Sequence, residues 1–180
     1  MVQILEMRLT SLNRVFNRGW EKAQGIWERE KYSEGSIASK EPSNFVNFGG
    51  KGKYSDPEFT WEVPVGVTSI KFLDSDNLGK EYENDMFVAD IHHGNIYHFE
   101  LNKNRDRISI DTNQQQQQSG LPDLVFDNED ELSAITFGSG FGGITDIETG
   151  PDGLLYVLSD DYLITDTDDD GIIYKISSDD

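Results

Sequence analysis

The feature that most constrains this chain is a three-strand pattern that occurs twice. The later copy runs from Gly140 to Ser177 and reads GFGGITDIETGPDGLLYVLSD, then an acidic loop, then GIIYKIS. Ile144 and Ile147 sit in a first run, a Gly-Pro-Asp-Gly turn spans Gly150 to Gly153, and apolar runs follow at Leu154 to Leu158 and Ile172 to Ile176. Short β-branched runs separated by turn residues predict three antiparallel strands in a meander. The earlier copy reads PVGVTSIKFL, NDMFVADIHH and GNIYHFEL. Thr68-Ser69-Ile70 corresponds to Thr145-Asp146-Ile147, and Gly94-Asn95-Ile96-Tyr97 to Gly171-Ile172-Ile173-Tyr174, both 77 positions apart. The middle strands, at Phe87 and Tyr156, are only 69 apart. One unit with unequal loops is the way propeller blades diverge.

The fold expectation is therefore all-β: a partial β-propeller of two to three four-stranded antiparallel blades. Residues 1–53 form a degenerate N-terminal segment and loop, and residues 54–180 carry the blades. The first complete blade runs from Val67 to about Phe126, with strands at Thr68 to Leu73, Asp85 to Asp90, Asn95 to Leu101 and Leu124 to Phe126; the second covers 140–177. Val2, Leu5, Leu9 and Leu12 are spaced loosely as on a helix, and a strand remnant is the other reading of Met1 to Arg14. Little other helix is expected. Gln114 to Gln118 buries no apolar area and reads as a disordered loop tip. GSGFGG at Gly138 to Gly143 precedes strand-like rather than helical sequence, so it is not a phosphate loop; its glycines let the chain pass closely into the next inner strand.

A length of 180 residues suffices for one domain with a core, and 34 acidic against 15 basic residues give a formal net charge of -19. Such a charge excludes nucleic acid and anionic membranes as partners. No cysteine is present, so disulfides, thiolate metal sites and cysteine nucleophiles are excluded; imidazole comes only from His92, His93 and His98. Glu6 and Arg8 interrupt what a signal peptide would need as its apolar stretch, and no run reaches transmembrane length.

Trp61, the Pro64-Val65-Gly66 approach to a strand, Met86-Phe87-Val88, Gly94 to Tyr97, and Asp146 through Gly150-Pro151-Asp152-Gly153 to Leu158 together resemble the last blades of the glucose/sorbosone dehydrogenase family. The likeness covers roughly Asn13 to Ser177. It implies a six-bladed propeller that oxidises sugars with pyrroloquinoline quinone (PQQ), usually in the periplasm or outside the cell. A planar tricarboxylate needs cations around it, because desolvated carboxylates require charge-assisted partners. The resemblance implies a lysine before the turn to one third strand, and two arginines at the start of the next inner strand. Aligned residue by residue, the lysine position is His92 and the arginine positions are Gly143 and Thr145, so all three cations are gone. Trp61 falls where a tryptophan walls the quinone pocket; packing in a core is its other reading. The proton-abstracting histidine and the calcium loop of the family have no counterpart to align here.

One metal signal stands apart from the resemblance. Asp166-Thr167-Asp168-Asp169-Asp170-Gly171 matches the opening of a calcium loop, with Asp166, Asp168 and Asp170 as candidate Ca2+ ligands. Position twelve is Ser177 rather than glutamate and strands flank the loop, so a solvated hairpin tip competes with the metal reading. Two functional readings follow: a C-terminal part of a quinoprotein sugar or alcohol dehydrogenase-like propeller, inactive alone, or a non-catalytic propeller that binds a ligand or protein. A sugar or other small molecule is the expected ligand of an intact propeller, and open blade edges predict self-association.

Overall fold

In the computed structural model the described residues are 57–61, 63–109, 125–126, 129–160 and 171–178, together with the short strands at 7–9, 16–17, 23–24, 27–28 and 53–54. The glutamine tract and the aspartates at 166, 168 and 170 lie outside them. Among the described residues no helix is long and apolar enough to cross a membrane.

The chain divides into two compact units. The first holds 1–64 and 121–128. Its main sheet has three strands, β1 (Met7–Leu9), β6 (Phe59–Trp61) and β10 (Val125–Phe126), with β6 in the centre. Two pairs of short strands complete it: β2 (Phe16–Asn17) beside β5 (Lys53–Tyr54), and β3 (Ala23–Gln24) beside β4 (Trp27–Glu28). The loosely helical spacing at the start of the chain is thus overridden at Met7–Leu9, which pairs antiparallel with Phe59–Trp61. All three residues of β6 are buried, as Phe and Trp in a central strand should be.

The second unit holds 65–120 and 129–180 and contains both copies of the repeat. Its first sheet orders β11 (Thr136–Gly138), β9 (Ile96–Phe99), β8 (Met86–Asp90) and β7 (Val67–Phe72). Its second orders β12 (Gly143–Thr149), β13 (Leu155–Asp160) and β14 (Ile172–Ile176). Within each of these sheets the strands pair antiparallel throughout the described residues, so the meander expected from the sequence is what forms. The repeat is also in register. Ile70 pairs with Val88 and Val88 with Tyr97; Ile147 pairs with Val157 and Val157 with Tyr174. The sheets are those of propeller blades, one with four strands and one with three.

One expectation is corrected. The fourth strand of the first blade is Thr136–Gly138, not Leu124 to Phe126. Val125–Phe126 is a strand, but it pairs in parallel with β6 in the first unit. Between them lies a helix that was not expected, α1 (Glu129–Ile135). Three acidic residues in its first turn suit the positive end of a helix, and Glu131 and Ile135, one turn apart, are its buried positions.

The two sheets pack face to face. Leu73, Leu78, Phe87, Ala89 and Ile96 from the first copy meet Ile144, Ile147, Leu155 and Val157 from the second, each buried. The loop before β8 closes over this core: Leu78 is buried and the Tyr82 ring stands edge-on to Phe137 at 5.3 Å.

Candidate functional site

At one end of the paired sheets the turn from β8 to β9 meets the glycine-rich connection into β12. Gly94 has φ of +64°, a left-handed backbone that favours glycine, and a Cβ there would stand 2.7 Å from the Gly142 nitrogen. The Phe141 amide donates to the Gly94 carbonyl at 3.2 Å. The expectation of a close backbone passage at Gly138 to Gly143 is met here. The structure therefore brings the turn that carries His92 against the segment that delivers Gly143.

The turn is built on Asp90, the last residue of β8 and fully buried. One carboxylate oxygen accepts from the Gly66 and His92 amides, both at 2.8 Å. The other accepts from His93 Nδ1 at 2.6 Å and from the Tyr97 hydroxyl at 3.2 Å. A carboxylate only accepts, so His93 carries its proton on Nδ1 in this arrangement. Burial, the largest cause, raises the Tyr97 phenol pKa well above its ordinary value, which keeps it a donor. The His92 and His93 side chains remain exposed at the tip.

Beside the turn, the two inner strands are joined by polar side chains. Thr68 donates from Oγ1 to the Ile144 carbonyl at 2.7 Å, and Ser69 donates from Oγ to Asp146 at 2.9 Å. Lys71 reaches Glu148 at 2.6 Å. Ser69 and Asp146, like Lys71 and Glu148, are the same position of the two copies, so the repeat is stitched to itself along equivalent residues.

Gly143 is buried and pairs with Asp160 across β12 and β13. Thr145 sits at a register shift, and its hydroxyl donates to the Leu158 carbonyl at 3.2 Å within its own sheet. Neither supplies charge, and the only titratable group at these three positions is the His92 imidazole. Trp61 is in the first unit, fully buried, with its ring edge-on to Phe59 at 4.8 Å. No group of three or more histidines, cysteines or carboxylates placed to hold a metal occurs among the described residues.

The sequence pointed to His92, Gly143 and Thr145 through a register argument, and missed Asp90. A signal was present: an aspartate ending an apolar strand, three residues before a histidine and seven before a tyrosine.

Comparison with known proteins adds the following. No family model matches the chain, and no curated protein matches it. Among solved structures, a glucose dehydrogenase overlays with a TM-score of 0.52 at 17% identity, over 91% of this chain and 35% of that one. The likeness is one of fold. It is the fold of glucose dehydrogenase blades, which the sequence resemblance implied. An oxidoreductase described as a glucose dehydrogenase, from Thermus thermophilus, overlays at 0.43 with 20% identity, over 79% of this chain and 27% of that one. A further glucose dehydrogenase gives 0.43 and 17%, over 72% and 31%. The chain spans about a third of the length of these solved chains.

Proposed function

We propose that this chain supplies blades of a quinoprotein sugar or alcohol dehydrogenase-like propeller and is catalytically silent by itself. The observation that carries this reading is the chemistry of the mouth. A cofactor with three carboxylates needs fixed cations, and the equivalent positions hold a histidine, a buried glycine and a threonine whose hydroxyl serves its own sheet. The nearby carboxylates on β12, Asp146 and Glu148, are taken up by Ser69 and Lys71, and a net charge of -19 adds repulsion at longer range. The residues present do not fit PQQ.

Calorimetry with PQQ and calcium, and dye reduction with glucose, test this directly. The expected result is no tight binding and no sugar-dependent reduction above a heat-killed control. Micromolar binding by the unmodified chain would overturn it. His92→Lys with Thr145→Arg should raise quinone affinity without creating turnover; Gly143 is left alone because an arginine there would enter a buried strand.

The Asp90 network supports a second reading, a non-catalytic module whose rigid turn presents His92 and His93 to a ligand or partner. A sugar that raises the melting temperature while dye reduction stays at background would favour it, because ligand binding to the folded state stabilises by mass action.

A further inference from the structure

The fold treats the three imidazoles of the chain differently. His98 is engaged inside its sheet: Nε2 meets Asp85 at 2.8 Å, and the ring lies among Tyr82, Phe87 and Phe137. His92 and His93 stand exposed at the tip of the turn after β8, and one buried carboxylate positions both. Asp90 holds His92 by its backbone amide, at 2.8 Å, and His93 by its ring, at 2.6 Å from Nδ1.

The His92 ring has a seat as well, since a Cβ on Gly66 would stand 3.1 Å from its Cδ2 and Cε1. That ring makes no hydrogen bond among the described residues. With its Nδ1 proton directed at Asp90, His93 keeps the lone pair on Nε2, and its side chain is 47% exposed. A carboxylate behind a histidine fixes the tautomer and raises the basicity of the outer nitrogen, as it does for histidines that ligate metals. The two rings are 6.3 Å apart at 80° to each other. Imidazoles sharing one ion, each nitrogen at about 2.0–2.1 Å, have ring centres roughly 5–6 Å apart, so a small rotation of exposed rings brings both onto it.

We propose that His92 and His93 form a two-histidine site for a divalent transition-metal ion such as Zn2+ or Cu2+, with water or a further ligand in the remaining positions. The proposal rests on the reading of this turn as one that presents its histidines to a ligand, and it names the chemistry of that ligand. Imidazole selects such ions over Ca2+ and Mg2+, which take oxygen. A net charge of -19 draws cations of every kind toward the surface. Asp90 is a positioning residue in this site, acting on the ion through His93.

Calorimetry with zinc chloride on the full chain, in excess Mg2+ and Ca2+ to occupy carboxylates, tests the site. One Zn2+ per chain should bind saturably, and Cu2+ in its place should show imidazole nitrogen couplings in its electron paramagnetic resonance. His92→Gln and His93→Gln should each weaken binding at least about tenfold. The first of these removes no hydrogen bond, so its circular dichroism should be unchanged. Asp90→Asn keeps an oxygen for the two amides but turns its NH2 group toward His93 Nδ1, which moves the imidazole proton to Nε2, the atom the ion needs. Zinc affinity should again fall at least about tenfold, with the imidazole nitrogen shifts in NMR reporting the changed tautomer. Zinc binding that Mg2+ and Ca2+ abolish, or that survives both histidine changes, overturns the proposal by assigning the ion to carboxylates. Absence of zinc binding while a sugar still raises the melting temperature overturns the metal site and leaves the ligand-presenting turn standing; absence of both responses overturns both.

Discussion

A carboxylate shut away from water has to be satisfied by the protein, and Asp90 is satisfied by groups from three places in the sequence: Gly66, the turn at 92–93, and Tyr97. Removing it strands several donors together. Asp90→Ala is expected to cost about 3 kcal/mol or more in urea unfolding, since each buried donor left unpaired costs roughly 1–3 kcal/mol. Asp90→Asn should cost less, keeping an acceptor for the two amides. Tyr97 gives a pH signature. Its pKa in the folded state lies above the unfolded value of about 10, so the stability it contributes is complete below that value and is lost as the pH rises beyond it. Tyr97→Phe should remove this alkaline loss, measured as unfolding free energy against pH. Asp152 behaves oppositely: its hydrogen bond from Lys175 is the main cause that lowers it from 3.8 to about 2. Its contribution is present above the unfolded value and is lost as the pH falls through about 2. Lys175→Gln should return the Asp152 titration, followed by NMR, toward the ordinary range.

At the scale of elements, the repeat offers a paired experiment. Ile96 and Ile173 occupy the same position in β9 and β14, one buried and the other exposed. Ile96→Ala should cost about 2–5 kcal/mol, and Ile173→Ala, in the monomer, within about 0.5 kcal/mol. If both cost the same, the two sheets are not packed as described. The acidic segment at 166–170 has its own test: bound calcium would raise the melting temperature at millimolar concentration, and magnesium would do less because it demands a tighter octahedron. The strands of the repeat were legible because alternation and turn residues are local signals. Pairing partners were not. Val125–Phe126 has the composition of a strand, yet nothing local to it says that its neighbour is β6 rather than β9. Helix α1 escaped notice because seven residues with two buried positions are too few to establish a period.

For the molecule as a whole, the candidate site was half legible. His92, Gly143 and Thr145 came from residue-by-residue alignment to the family the chain resembles, not from a local signal. Thr68, Ser69 and Lys71 gained their roles only from the stacking of one sheet on the other, which no single strand encodes. The unequal offsets of the repeat, 77 for the inner and third strands and 69 for the middle one, have a further meaning. Leu73 to Gly94 and Gly150 to Gly171 are segments of the same length, each holding a middle strand and its two connections. The middle strand stands later in the first segment than in the second while holding the same place in its sheet, the longer connection before it being matched by a shorter one after it. Each such segment is in that sense an exchangeable cassette, and a chimera carrying the same one twice would change neither the length of the chain nor the spacing of the strands that bracket it.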